Sequence, residues 1–96
     1  MAQIKVGTTD IPTAGTRVQI RNTNERVKQL RMQGALGNAG NVFFGISDVS
    51  GTNGWGLDAG QQLPLDFKDG SVRASDLWAD TDTGGNDIDW ILIIEG

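Results

Sequence analysis

The sequence contains no cysteine, no histidine and no tyrosine, only two prolines, and no apolar run long enough to cross a bilayer as a helix. Without cysteine there is no disulfide, no thiol nucleophile and no thiolate metal site, so a small core must be reinforced by association if at all. Without histidine the usual general base near neutral pH is missing. Carboxylates, lysines and hydroxyls remain. Paired carboxylates can cleave glycosides, but only across a cleft that a domain of 96 residues seldom builds. The expectation is a protein that is not an enzyme and needs no cofactor. The start, Met1 to Gly7, lacks a basic segment followed by an apolar run, and no Asn-x-Ser/Thr sequon occurs. A soluble chain made in the cytoplasm, with no membrane partner, is therefore expected.

What is present is glycine, 14 residues of it, among short runs of alternating apolar residues. From Asn41 to Phe67, Val42, Phe44 and Ile46 share one side of an extended chain, and Leu63, Leu65 and Phe67 do the same after a long turn. Gly51, Asn53, Gly54 and Gly56 between them are expected to supply the positive φ of tight reversals. The remaining strands are expected at Arg17–Arg21, at Arg26–Gln33, around Leu57 and at Asp89–Glu95. In the second of these Val27 is out of phase with Leu30 and Met32, which fits a bulge. Pro64 belongs on an edge. Lys68–Ser71 should close a hairpin, and Ala74–Ala79 reads as a strand or as one helical turn begun at Ser75-Asp76, the strand being favoured. Asp80–Asp87 reads as a polar turn. Residues 1–16 read as an extended N-terminal arm, with a short strand at Gln3–Val6 broken by Gly7, Pro12 and Gly15. The fold class is all-β: a single domain at 17–96, a small β-sandwich or jelly-roll-like barrel of about seven to eight short antiparallel strands.

The last strand is apolar on both faces. Trp90, Leu92 and Ile94 point one way and Ile91 and Ile93 the other, so a second covering surface is required, either the arm or another subunit. Charge is split as well: residues 1–48 hold six basic and three acidic side chains, residues 49–96 two basic and nine acidic. The basic group Arg17, Arg21, Arg26, Lys28 and Arg31 has no interleaved aromatics to stack bases, so nucleic acid is not the expected partner. An acidic protein surface suits it better. The expected interface comprises Ile4, Val6 and Ile11 of the arm, Arg17, Arg21, Arg26 and Arg31, and Ile91 and Ile93.

Three local motifs point to ligands. Gly54–Ala59 fits a dinucleotide fingerprint in letters only, since no helix follows it. Asp80-Thr81-Asp82-Thr83-Gly84-Gly85-Asn86-Asp87 alternates carboxylates as a calcium loop does, but Gly84 and Ile91 stand where ligands should be, and aspartates bonded to their own backbone are the expected arrangement. Trp55, between two glycines, reads either as a platform for a glycan or partner or as a lid on its own sandwich.

Taken in order, Val18-Gln19-Ile20, Asn41-Val42-Phe43-Phe44-Gly45, Ser47-Asp48-Val49, Gly54-Trp55-Gly56-Leu57, Ala59-Gly60-Gln61, Leu63-Pro64-Leu65-Asp66, Asp76-Leu77-Trp78 and Asp89-Trp90-Ile91 resemble small virion proteins of tailed bacteriophages. The resemblance spans residues 17–94; Gln61 departs from the more usual acidic residue, and the first sixteen residues have no counterpart. It implies a capsid decoration (cement) or head-fibre protein: a homotrimer on the outer capsid surface, clamping the major capsid protein of the virion. The alternative it implies is a glycan-binding module of a tail fibre or baseplate, with Trp55 as the platform.

Overall fold

The computed structural model describes residues 2–67 and 72–95. The expected hairpin closure at Lys68–Ser71 lies outside them. Among the described residues, nine strands form two antiparallel sheets packed face to face, a small all-β sandwich. They are β1 (Ala2–Ile11), β2 (Val18–Gln19), β3 (Arg26–Gly34), β4 (Val42–Gly45), β5 (Trp55–Leu57), β6 (Gln62–Asp66), β7 (Val72–Arg73), β8 (Trp78–Thr81) and β9 (Asn86–Glu95). One sheet runs β1-β9-β3-β6, with β7 continuing the β6 edge along β3; the other runs β2-β8-β4-β5.

The inward faces follow the period-two pattern. Ile88, Trp90, Leu92 and Ile94 of β9 meet Val42, Phe44, Leu57 and Ala79 of the second sheet in one buried cluster. In β3 the register shifts between Val27 and Gln29, so Lys28 is the extra residue and Val27 comes into phase with Leu30 and Met32, all three buried. The bulge read from the sequence is present. Pro64 lies on β6, at the sheet's edge, where its missing N–H costs nothing.

Several local expectations are corrected. Residues 2–11 are not a free arm: they form a strand of ten residues paired to β9 along its whole length. Gly7, read as a breaker, is the residue that permits this. A Cβ there would fall 2.5 Å from Cζ2 of Trp90, whose indole lies across β1 and donates through Nε1 to the hydroxyl of Thr9 at 2.9 Å. Ile11, expected at an interface, is fully buried in the core.

In the second sheet β4 ends at Gly45, so Ile46 leaves the apolar row and is exposed, while Val49 turns back and is buried in its place. Of the glycines there Gly54 serves close approach, and none has positive φ, which among the described residues occurs only at Gly15, Gly60 and Gly85. A Cβ on Gly54 would lie 2.6 Å from Val49 Cγ2, whereas Cβ atoms on Gly51 and Gly56 would make ordinary contact with the Phe43 ring. Of the stretch Ala74–Ala79, Ala74–Asp76 form a 3-10 turn, and the favoured strand at Leu77-Trp78-Ala79 is found from Trp78 as the start of β8. The turn at Asp80–Asp87 shrinks, because β8 runs to Thr81 and β9 starts at Asn86.

Candidate interaction surface

The outward face of the five-stranded sheet is built by register. Strand pairing aligns Ile4, Ile93, Gln29 and Asp66 in one row across β1, β9, β3 and β6, and Val6, Ile91, Arg31 and Pro64 in the next. The third row is Thr8, Asp89, Gln33 and Gln62, and Asp10 faces Asp87 beyond it. Alternation sends the other half of each strand into the core, so these residues form the outward face of the sheet. Ile4 is 67% exposed, Val6 70% and Ile91 43%, with Ile93 half-buried between its neighbours. The outer face of β9 was expected to be covered by the first residues or by another subunit, and the first residues do not cover it. Instead β1 extends the apolar face, adding Ile4 and Val6 to Ile91 and Ile93.

The far end of this face is polar and ordered. Thr8 Oγ1 donates to Asp89 Oδ1 at 2.7 Å, and Gln33 Nε2 to Asp89 Oδ2 at 3.3 Å. The carboxyl of Asp87 titrates above the usual carboxylate range, first through loss of hydration and then through the hydrogen bond and charge of Asp10, with Asp89 adding to it. The face thus grades from apolar to acidic along the strands. Arg31 sits within the apolar half, beside Ile91 and Pro64.

The basic residues are not one cluster. Arg17 is exposed in the loop before β2, Arg26 lies opposite Arg73 on the β3–β7 edge, and Arg31 belongs to the outer face. Arg21 turns towards the core margin, where its guanidinium stands 5.8 Å from the Trp90 ring and its Nε donates to Glu25 at 2.7 Å. That bond, with a second from Thr23 Oγ1, holds the Glu25 carboxyl below its ordinary value.

Trp55 is 60% exposed on β5, the edge strand of the second sheet, opposite buried Phe44. The lid reading is therefore replaced by an open indole. The polar groups beside it are spent within their own hairpin: Ser50 and Asn53 exchange backbone hydrogen bonds, and Asn53 Nδ2 donates to the Asp48 carbonyl at 3.3 Å. Between the sheets, Phe44, Ile46, Leu65, Phe67 and Trp78 line an open apolar cleft of about 690 Å³. Asp76, which also lines it, accepts from the Arg73 N–H at 3.0 Å.

The acidic turn is likewise occupied by backbone. Asp80, buried, accepts from the N–H groups of Thr81 (2.7 Å) and Gly15 (3.0 Å), and Asp82 Oδ1 accepts from Asn41 N–H at 3.0 Å. Among the described residues no group of three carboxylates is placed to hold a metal ion. No protein-family model, curated protein or solved structure matches this chain.

Proposed function

We propose that this chain is a structural protein of an assembled particle: a decoration subunit that binds the outer surface of a phage capsid through the outward face of its five-stranded sheet. The alignment of Ile4, Val6, Ile91 and Ile93 on a face turned away from the core carries the reading. Magnitude favours a repeated partner. The exposed apolar area of these side chains is roughly 300 Å², equivalent to about 7 kcal/mol of gross burial. Association costs about 4–15 kcal/mol in lost freedom, so one such contact is weak. Linked copies on a regular lattice multiply it. Arg31 within the patch supplies a bidentate donor for a carboxylate on the capsid subunit, and the acidic end at Asp10, Asp87 and Asp89 orients the approach. Neither nucleic acid nor membrane has a role in this scheme, and the protein acts by contact without catalysis or a cofactor. The resemblance implies three copies per site.

The test is binding to capsids assembled without the protein. Ile91→Asp should reduce retention on the particles at least about tenfold while the free protein melts within a few degrees of wild type. Undiminished retention by that variant would sink the proposed docking face. The exposure of Trp55 supports a second reading, a glycan platform. Its neighbours' engaged polar groups weigh against it. If it holds, Trp55→Ala abolishes a glycan-array signal that the wild type gives; an array with no wild-type signal rejects it.

A further inference from the structure

The edge of the same sheet carries an inference independent of the capsid. Strand β1 is terminal in its sheet, and its ladder with β9 runs through all ten residues without a register shift. Among the described residues, no backbone group of residues 2–10 joins a backbone hydrogen bond outside that ladder. In an antiparallel strand alternate residues direct their N–H and C=O groups to opposite neighbours, so about half of these groups face away from β9. Natural edges of such length are usually guarded by proline, a bulge, clustered lysine or a covering loop. Here β1 has no proline and no bulge; its one guard is Lys5, a lone inward-pointing charge in a strand of ten residues, which a pairing register must keep clear of its own copy.

The other edges are guarded. On the far side of the sheet β6 spans five residues with Pro64 at its centre, and β7 spans two. The edges of the second sheet, β2 and β5, span two and three residues. A head-to-tail contact from β1 to any of these ends within a few residues or meets Pro64. Among the described residues, the one edge that matches β1 in length is β1 itself.

We propose that β1 pairs with β1 of a second copy of this chain, antiparallel about a two-fold axis, joining the two five-stranded sheets into one. Such a contact is isologous and closes at two copies. Keeping the outer faces on one side requires opposed residues of the same parity. The register that fits places Val6 opposite Val6 of the second copy, Ile4 opposite Thr8 and Lys5 opposite Gly7. Centring on Lys5 would oppose two like charges, and centring on Gly7 would set Ile4 against Asp10. Pairing on Val6 brings both copies of Ile4, Val6 and Ile91 into one strip and doubles the apolar face. A pair also departs from the three copies that the resemblance implies.

The absence of cysteine makes the test direct. Opposed residues in an antiparallel pair lie about 4.5–5.5 Å apart at Cα, inside the span a disulfide bridges. Val6→Cys in the full chain should form a disulfide-linked dimer under mild oxidation at least tenfold faster than Leu36→Cys, whose position is 80% exposed on a loop. The wild type should sediment as a dimer, and Val6→Asp should raise the dissociation constant about tenfold or more. Amide exchange in wild-type β1 should slow as concentration rises. Cross-linking of Val6→Cys no faster than Leu36→Cys overturns the proposal, as does a monomeric or trimeric wild type. A trimer, or a monomer that still decorates capsids, leaves the docking face standing; failed docking by a Val6-paired dimer removes only the capsid reading.

Discussion

Gly7→Ala puts the status of the first eleven residues to a direct measurement. In a free arm the substitution is harmless or mildly stabilising, because alanine has less backbone entropy to lose. In the strand the added methyl would sit 2.5 Å from Cζ2 and 2.8 Å from Cη2 of Trp90, well inside van der Waals contact. Either β1 moves away from β9 or the indole swings out, and the second choice breaks the bond from Trp90 Nε1 to Thr9 and the packing of Arg21 on the ring. Overpacking of this kind costs about 1–3 kcal/mol and the hydrogen bond about 1 more, against roughly 0.5–1 regained from the unfolded chain. A net loss of about 1–3 kcal/mol follows, or several degrees of Tm per kcal/mol in a domain of this size. Urea denaturation followed by far-ultraviolet circular dichroism measures it, with Gly37→Ala as the control, since no atom lies within 4 Å of a Cβ there. Equal stability of Gly7→Ala and Gly37→Ala would refute the packing of Trp90 over β1.

Asp87→Asn removes a carboxylate whose folded-state pKa is raised by lost hydration and by Asp10. Ionisation therefore opposes folding, and the stability that Asp87 permits at low pH is lost as pH rises through its folded pKa. The variant should be the more stable protein at neutral pH, and the difference should vanish below the unfolded carboxylate pKa; melting curves from pH 3 to 8 read this out, and a variant less stable at neutral pH contradicts it. Asp80→Ala leaves the N–H of buried Thr81 without its acceptor and unties that of exposed Gly15, at a cost of about 1–3 kcal/mol. Its loop at residues 12–16 should be cut faster by limited proteolysis, and an unchanged urea midpoint would count against the anchoring role.

Where burial alone decides an element, the pattern of letters was enough. The two-faced β9, the bulge that rephases Val27 and the edge position of Pro64 each follow from alternation or from a missing N–H, and each is found. The elements that were missed depend on partners distant in sequence. Gly7 is a breaker unless Trp90 lies across it, and nothing near Gly7 announces Trp90. Ile46 and Val49 exchange roles because β4 stops one residue short of Ile46, where Gly45 and Gly54 leave room for the valine. On the outer face Ile4, Val6, Ile91 and Ile93 were all legible as interface candidates, while the β1–β9 register was needed to set the first two beside the others. The five basic residues, consecutive to the eye, part company once β3 puts Arg31 outward and the turn before it draws Arg21 to Glu25.

The placement of β9 between β1 and β3 governs the order in which the molecule can be made. The ribosome releases β1 and β3 long before the strand that separates them, and Ala2 waits for Glu95 as Ile11 waits for Asn86. Until then the sheet has two flanks and no middle. Pairings of such long range close slowly, so this sheet is expected to form in milliseconds to seconds once β9 has emerged, not strand by strand before it. During that interval β1 and β3 are exposed strands with apolar faces, open to neighbours on the same message.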